Sequence, residues 1–368
     1  MSSGVLNKGH SYPIATHSYF KAINLEEEKN LFLKSNDYIP RFKYKNNFKE
    51  EIIKSRLEQL DCLSREYLSL SCVLSGVYLQ SNDAELERFR QINKNLFGVP
   101  NLDYAEYIIS RILNLKSRAN DLYKKEITLL LGKKIESDIN IGPSSELFLK
   151  YKRYFENYRV NTDNLNMCVS DAIKYELDQS ELANEGWRLQ LVDGSCHAHT
   201  LHDAKKIIIG RDYEPRTSMA ANRIAIHEVY GHALPGKRNS IAESEGFALM
   251  LEQLLGKTFK FRRSYRYLAA SLGWGILGKP MSFREVFEIL WRLMLISSKY
   301  SESKAKECAF SECYRVFRGG RPDLAGAVFL KDIIYFDANI KIWNAISKKN
   351  HSYSDFVDII EGRKTILK

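Results

Sequence analysis

The sequence HEVYGH at residues 227–232 constrains this chain more than any other feature. Two histidines and an intervening glutamate are the side chains that a hydrolytic zinc site requires. The imidazoles of His227 and His232 hold the ion, and Glu228 takes a proton from the metal-bound water. In a regular helix, a spacing of five residues places the two imidazoles about 140° apart, too far for joint ligation. We therefore predict a local π-like turn, tolerated by Gly231, that returns both histidines to one side.

The best candidate for a third ligand is Glu245, which lies on the next predicted helix, within IAESEGFALMLEQ (241–253). It falls on the apolar face of that helix, where a carboxylate is costly unless a cation pairs with it. Glu243 has a simpler explanation, because it completes a capping box with Ser240. The sequence therefore predicts one zinc ion (Zn2+) bound by Glu245 together with the two histidines.

A second cluster of ligand-type residues, CHAHTLH, occupies residues 196–202. If this segment is a strand, alternation sends Cys196 and Thr200 to one side and His197 and His199 to the other. Two histidines at i and i+2 could share a metal, so a second metal site stays open. We favour an edge strand beside the cleft that hydrogen-bonds an extended peptide, with His199 reaching the substrate. The alternative is a polar, half-exposed strand without a ligand.

The net charge and the cysteine content limit the classes of binding partner and the cellular compartment that we expect for this protein. In this chain of 368 residues, 55 Lys and Arg outnumber 45 Asp and Glu, and the net charge of +10 attracts polyanions such as acidic protein tails. None of the six cysteines lies in a CxxC pair, which weighs against a cysteine-only zinc site. We interpret these scattered cysteines as reduced thiols and predict a cytoplasmic protein. No apolar run approaches the ~18 residues that span a bilayer, and we expect no membrane partner.

The segment from Lys257 to Tyr267 interleaves basic and aromatic residues, a composition also found in proteins that bind single-stranded nucleic acids. No recognised nucleic-acid module surrounds it. A solvated basic face, which could also receive an acidic protein partner, is the better interpretation. Nucleic acid is therefore the weaker candidate partner.

The sequence pattern divides the chain into three parts. Residues 1–24 are irregular, residues 25–135 are mainly helical by the spacing of their apolar positions, and residues 136–368 form an α+β catalytic domain. Two β-rich runs, 187–193 and 205–210, supply a small sheet, after which helices return. We predict a mainly helical α+β fold.

Two helix starts are legible in the second half of the chain. The helix that carries the histidines is expected over residues 216–234, with Ser218 as its N-cap. Ser282 and Glu285 form a capping box that opens a further apolar helix.

Three segments together resemble the tyrosine carboxypeptidase family: HEVYGH, ESEGFALMLE, and the region 315–342 with its Arg-Gly-Gly stretch. Lys331, Asp332 and Tyr335 fill the places of that family's Lys-Asp-x-x-Tyr, and DYIPRFKY (37–44) is similar to its N-terminal Asn-Pro-x-Phe-x-Tyr segment. Animal members of the family remove the C-terminal tyrosine of α-tubulin. Bacterial members have often been labelled by a Gln-Glu-Gly-Leu-Ala motif and as modulators of flavohaemoglobin expression.

The chain departs from the family pattern close to the motif. The usual HEIGTH is HEVYGH here, which brings in the bulky Tyr230, and Ser244 and Phe247 stand where the family has Gln and Leu. These changes leave the metal-binding set intact and bear on the substrate preference.

The resemblance implies a gluzincin-like core, in which a small sheet lies over the active-site helix. It also implies a zinc-dependent carboxypeptidase that hydrolyses the C-terminal peptide bond of a peptide or protein, with release of tyrosine or another aromatic residue. His227, His232 and Glu245 then become the zinc ligands, and Glu228 becomes the general base.

An exopeptidase must also grip the free terminal carboxylate of its substrate. Arginine suits this task because its guanidinium binds carboxylates bidentately, and lysine offers a point charge. The candidates are Arg315, Arg318 and Lys331, with Tyr335 as a candidate oxyanion donor. The alternative is that these residues are ordinary surface charges.

Two alternatives stay open. HEVYGH also fits the HExxGH pattern of the dipeptidyl peptidase III family, which implies zinc endo- or aminopeptidase action. A non-catalytic binder of an acidic protein partner would keep the metal as a structural element, and the positive net charge favours it. Such a binder has no need of Glu228.

Overall fold

A computed structural model describes residues 20–21, 24–41, 43–44, 83–115, 120–159, 168–193, 198–213, 217–236, 241–257, 259, 264–298, 300–318 and 320–367. Residues 45–82, which belong to the predicted helical region 25–135, lie outside these ranges. So do Cys196, His197 and most of the predicted irregular segment 1–24.

The described helices are, in chain order, α1 (Leu25–Lys34), α2 (Asp83–Phe97), α3 (Leu102–Leu113), α4 (Asn120–Leu131), α5 (Ser145–Tyr158), α6 (Val169–Gln179), α7 (Ser218–Glu228), α8 (Ile241–Leu255), α9 (Ser264–Trp274), α10 (Phe283–Ser297), α11 (Glu302–Phe317), α12 (Ile333–Lys349) and α13 (Tyr353–Ile360). The strands are β1 (Phe20–Lys21), β2 (Lys43–Tyr44), β3 (Arg188–Val192), β4 (His199–Leu201) and β5 (Lys206–Gly210). A π-helical turn, Val229–Ala233, follows α7, and a 3₁₀ turn, Leu330–Asp332, precedes α12. The protein is mainly helical with a small sheet, which agrees with the predicted α+β class.

The chain forms two compact units, each built from separated stretches of sequence. Among the described residues, the sheet unit comprises those within Gly142–Arg262 and Tyr335–Lys368, and the helical unit comprises those within Lys8–Ile141 and Arg263–Ile334. The first junction falls close to the predicted end of the helical N-terminal region. Within the ranges given above, no helix is both long and apolar enough to cross a membrane.

The three-stranded sheet has the order β3-β5-β4, with β5 parallel to β3 and antiparallel to β4. Both β-rich runs predicted from the sequence are confirmed, as β3 and β5. Ile207 and Ile209 of the central strand are buried, and their spacing of two is the period of a strand with one face on a core. In β4, at the edge of the described sheet, His199 and Leu201 are exposed and Thr200 is half-buried.

A buried polar network fixes α8 against α12. The indole N–H of Trp343 donates to Gln253 Oε1 at 2.7 Å, and the Gln253 amide donates to Asn339 Oδ1 at 2.9 Å. Asn339 in turn donates to the Gly246 carbonyl at 3.2 Å. A Cβ on Gly246 would lie 2.5 Å from the carbonyl oxygen of Ala338, so only glycine permits this approach.

Residues that follow α13 fasten both ends of the connection between the π turn and α8. The N–H of Ile366 donates to Glu243 Oε1 at 3.0 Å, and both residues are buried. Gly362 has a φ of +74° and lies so close to Pro235 that a Cβ would meet the proline carbonyl oxygen at 2.3 Å. The capping box of Glu243 with Ser240 stays a prediction, because Ser240 lies outside the described residues.

The helical unit packs α1 onto the first turn of α10 and onto α11. The predicted capping box at the start of α10 is confirmed, since the Ser282 N–H donates to Glu285 Oε2 at 2.8 Å. Phe32 of α1 meets Phe283 and Phe310 at ring-centroid distances of 5.0 and 5.3 Å. These aromatic contacts give the unit a core of its own.

Candidate metal centre

Helix α7 and the π turn carry the HEVYGH sequence. The N-cap is Thr217, one residue before the predicted Ser218: the Thr217 hydroxyl accepts from the N–H three residues later at 3.2 Å, and Ser218 is the first helical residue. The predicted π-like turn is confirmed, because the N–H of Leu234 donates to the carbonyl of Val229, five residues earlier, at 2.8 Å. The wider turn brings His227 and His232 to the same side of the helix.

Gly231 tolerates the wider turn and also allows α8 to pack closely against it. A Cβ at this position would lie 2.4 Å from the Cβ and 2.9 Å from the Cα of Ala248 on α8. Glycine therefore lets the backbone of the π turn touch the helix that carries Glu245. The ligand-bearing segments are in direct contact through these two small residues.

Three side chains converge between the π turn and α8. The candidate ligand atoms of His227, His232 and Glu245 all lie within 4.8 Å of one another, and all three residues are buried. Glu245 Oε2 is 3.3 Å from Nε2 of His227 and 3.9 Å from Nε2 of His232. Ligand atoms bound about 2.1 Å from a tetrahedral zinc are about 3.4 Å apart, so this set fits a zinc ion. It is the only such group within the part of the chain that the structure describes.

The second nitrogen of each imidazole has its own partner. Nδ1 of His227 lies 2.8 Å from Glu252 Oε1, and Nδ1 of His232 lies 2.6 Å from Ser244 Oγ. If each Nδ1 carries the proton, each Nε2 keeps its lone pair toward Glu245, and this is the tautomer that a metal ligand needs. Two imidazoles and one carboxylate form a donor set typical of zinc.

The electrostatics of the cluster favour positive charge. Burial lowers the pKa of the His227 imidazole, but its hydrogen bonds to Glu245 and Glu252 outweigh burial and raise that pKa to about 10. The imidazole therefore holds a proton between two carboxylates when no metal competes for the position. A zinc ion would have to displace this proton, because imidazole binds metals in its neutral form.

Glu228 follows the first histidine and is buried beside the edge strand. The Thr200 hydroxyl of β4 lies 2.8 Å from Glu228 Oε2, to which it donates, and 3.3 Å from the Glu228 carbonyl oxygen. Burial raises the pKa of the Glu228 carboxyl, while the charge of His227 and the hydrogen bond from Thr200 oppose that rise. A carboxylate with a raised pKa next to a metal site can accept a proton and return it.

Two further candidates belong to the sheet unit. His199 is exposed on β4, one residue before Thr200. Tyr335 is half-buried near the start of α12, one helical turn before Ala338, which touches Gly246 beside the third candidate ligand. The predicted roles of His199 with substrate and of Tyr335 as oxyanion donor stay predictions.

Arg315, Arg318 and Lys331 lie in the helical unit. Nε of Arg315 donates to both carboxylate oxygens of the fully buried Asp332, at 3.2 and 3.3 Å, and Arg266 donates to the same group at 3.4 Å. Burial, reinforced by the charge of Arg315, lowers the pKa of Arg318 to about 10. The solvated basic face predicted to include Arg266 is wrong for that residue, because its guanidinium joins these ion pairs. The predicted roles of Arg315, Arg318 and Lys331 in binding a substrate carboxylate stay predictions.

Sequence reasoning missed three residues that touch the site. Glu252 lies seven residues after Glu245, two turns along the same helix face, and this spacing is the signal that could have revealed it. Ser244 and Thr200 carry no comparable local signal, because nothing in a single sequence pairs a hydroxyl with a distant carboxylate or imidazole.

No protein-family model, curated protein or solved structure matches this chain. The chemistry of the site must therefore be inferred from its own side chains. Two imidazoles and a carboxylate that could hold a divalent metal lie beside a second carboxylate that can move a proton.

Proposed function

We propose that this protein is a zinc-dependent peptidase and, from its resemblance to the tyrosine carboxypeptidase family, a carboxypeptidase. The observation that carries the proposal is the convergence of His227, His232 and Glu245 next to the buried Glu228. When bound, zinc would supply Lewis acidity, which polarises a carbonyl and lowers the pKa of water toward about 7. A purely structural metal site would need the three ligands but would have no need of Glu228.

Glu228 is the general base in this proposal. It accepts a proton from the attacking water and returns that proton to the leaving amine. Thr200 donates to one carboxylate oxygen at 2.8 Å, which orients the group and leaves the other oxygen to take the proton. Burial of Glu228 restricts competing hydrogen bonds from bulk water.

The edge strand β4 is the proposed binding surface for an extended peptide. Strand addition uses main-chain hydrogen bonds, and alternate side chains provide specificity. Because Thr200 joins β4 to Glu228, a peptide paired with this strand would lie beside the general base. His199 is the proposed substrate contact. The same strand-to-helix contact supports a gluzincin-like core.

For recognition of the terminal carboxylate, the proposed candidates are Arg315, Arg318 and Lys331, because their side chains suit carboxylate binding, and the proposed oxyanion donor is Tyr335. The expected signature of a carboxylate contact is a raised KM for Lys331→Met, with little change in kcat. Loss of the Tyr335 hydroxyl in Tyr335→Phe should instead lower kcat.

The proposed substrate is a peptide or protein C-terminus, with an acidic tail favoured by the net charge of +10. Cys168 and Cys313 are thiols, which suit a reducing compartment, and we place the protein in the cytoplasm.

The decisive experiment incubates the zinc-loaded protein with a peptide library that varies at both ends and identifies the products by mass spectrometry. We expect removal of single C-terminal residues, aromatic ones first. Trimming from the N-terminus would support the dipeptidyl peptidase III type of activity instead. No product from zinc-loaded protein would contradict the proposal and favour the non-catalytic binder of an acidic partner.

Glu228→Gln is the matched inactive variant, because it keeps the size of the side chain and an oxygen that accepts from Thr200. We expect it to bind zinc as the wild type does and to hydrolyse peptide about 10²–10⁴-fold more slowly. Glu243→Gln is the control, since Glu243 is a buried glutamate on α8 that bonds Ile366. Undiminished hydrolysis by Glu228→Gln would refute the assigned role.

A further inference from the structure

The segment that follows α13, residues 361–367, is bound to the rest of the sheet unit, and we call it the clamp segment. The N–H of Lys364 donates to the carbonyl of Asp358 at 3.1 Å, which holds the segment to α13. Lys349 Nζ, at the end of α12, donates to the carbonyl of Ile366 at 3.0 Å. The side chain of Ile366 is fully buried in the hydrophobic core of the unit. None of these contacts involves a candidate metal ligand.

Two further contacts join the clamp segment to the connection between the π turn and α8. A Cβ on Gly362 would lie 2.3 Å from the carbonyl oxygen and 2.8 Å from the Cα of Pro235, so the two backbones touch. Four residues later, the N–H of Ile366 donates to Oε1 of the buried Glu243 at 3.0 Å. The segment therefore contacts the connection near its beginning and near its end.

Both contacts lie next to candidate metal ligands. Pro235 directly follows Leu234, whose N–H closes the π turn that carries His232. Glu243 precedes Glu245 by two residues on α8. The two ligands meet across the connection, with 3.9 Å between Nε2 of His232 and Oε2 of Glu245. A shift at either contact would therefore change the distance between the ligands.

We propose that the clamp segment is a positioning element of the metal centre. Through its two contacts with the connection, it holds His232 and Glu245 at a separation that one ion can bridge. The inference rests on the metal centre of the proposed function but not on catalysis. Zinc then binds tightly only to the clamped form, and by reciprocity bound zinc favours that form by the same factor.

The test compares zinc affinity in two matched variants, Gly362→Ala and Gly186→Ala. Both glycines have a positive φ, +74° and +91°, so alanine strains the backbone at each. A Cβ at position 186 meets nothing within 4 Å, whereas a Cβ at position 362 meets Pro235. If Gly362→Ala leaves about one molecule in ten clamped, zinc should bind about tenfold more weakly. We expect no change for Gly186→Ala, with both affinities measured by competition with a chromophoric chelator.

Cobalt(II) substitution adds a readout that a merely structural role would not change. The visible spectrum of the cobalt protein reports the number and geometry of its ligands. It should shift for Gly362→Ala and stay unchanged for Gly186→Ala. Glu243→Gln keeps an oxygen that accepts from Ile366, so its affinity and spectrum should equal those of the wild type.

Hydrogen exchange, followed by mass spectrometry, tests the reciprocal effect in the unaltered protein. Amides of the clamp segment exchange when this segment opens locally, so zinc should slow exchange in the peptide that contains Ile366. The control is the turn before β3, where the Gly186 N–H donates to the Ala183 carbonyl at 3.1 Å. Zinc should not change exchange there. If Gly362→Ala does not fold, this experiment decides the question.

The outcomes separate this inference from the proposed function. Wild-type protein that binds zinc without cleaving any peptide contradicts the peptidase, while zinc-dependent protection of the clamp segment would still support the inference. A Gly362→Ala protein that melts earlier but keeps its zinc affinity and cobalt spectrum overturns the inference alone. So does exchange at Ile366 that zinc leaves unchanged. Wild-type protein that binds no zinc overturns both.

Discussion

Each compact unit contains a group of buried and half-buried charged side chains, and the two groups differ in their balance of positive and negative charge. The sheet unit contains a group of imidazoles and carboxylates, named the metal cluster because three of its members could hold a metal ion: His227, Glu228, His232, Glu245 and Glu252. The helical unit contains an arginine cluster of guanidiniums and carboxylates: Arg266, Glu312, Arg315, Arg318 and Asp332. Both groups are costly to bury, yet only the first has the geometry of a metal site.

In the arginine cluster, opposite charges meet directly. Arg266 donates to Glu312 at 2.9 Å and Arg315 to Asp332 at 3.2 Å, so the protein itself supplies the countercharges. In the metal cluster, carboxylates lie next to imidazoles. The pKa of His227 is raised because the neighbouring Glu245 and Glu252 stabilise a positive charge on its imidazole. Burial of charge alone therefore does not indicate a metal site. What indicates one is an excess of acidic groups whose side chains converge on one point.

Asp332→Asn should have the largest effect on stability. It leaves Arg315 and Arg266 facing a neutral amide in a fully buried position, and the free energy of unfolding should fall by about 3–5 kcal/mol. Denaturant titration measures this change. Asp323→Asn breaks the partly exposed pair with Arg321 and should cost no more than about 1 kcal/mol. If zinc binding also failed in a folded Asp332→Asn protein, the two clusters would not be independent.

Zinc should stabilise the protein through the metal cluster. At a free zinc concentration 100 times the dissociation constant, the gain is about 2.7 kcal/mol, because only the folded chain assembles the site. Thermal unfolding with zinc and with a chelator measures the gain. In Glu245→Gln, which loses the anionic ligand, the same zinc concentration should raise the melting temperature far less. An equal rise in both proteins would show that zinc binds elsewhere.

Glu252→Gln should weaken zinc binding about 10- to 100-fold, because the hydrogen bond that orients His227 loses its charged acceptor. Chelator competition measures the affinity. Glu243→Gln, another glutamate on α8, should bind zinc as the wild type does. Equal affinities for all three proteins would mean that the 2.8 Å contact to His227 has no influence on the metal.

The smallest effect is expected for Thr200→Val, which removes a hydroxyl at nearly constant volume. If the chain is a peptidase, kcat should fall about tenfold, since Glu228 loses the hydrogen bond that orients it. Zinc affinity should not change, and Thr200→Ser should restore turnover. A Thr200→Ser variant as slow as Thr200→Val would point to packing of the methyl group instead.

The convergence of the candidate ligands was predictable because its signals are local in sequence. His227, Glu228 and His232 fall within one motif, and Glu245 lies at an apolar position of the next helix. The need for a wider turn followed from the helical repeat alone, and the structure confirms it. The two β-rich runs and the capping box at Ser282 were also predictable, because their signals lie within short stretches of sequence.

Contacts between distant segments were not predictable from one sequence. Thr200 reaches Glu228 across 28 positions, and no alternation or spacing records that pairing. Arg266 was expected on a solvated face because it belongs to a local pattern of basic and aromatic residues. That pattern gives no information about its partner Asp332, which lies 66 residues away. The division into two units depends on such contacts, since residues 263–334 group with a stretch that ends at Ile141.

The ties that Ile366 and Gly362 make to Glu243 and Pro235 also bear on synthesis. A nascent chain that has just completed α8 already contains both histidines and Glu245, but the residues that fasten the connection between them are still untranslated. If the site takes up a metal, we expect its three candidate ligands to reach their final arrangement only after residues 362–366 have been made and have packed against this connection.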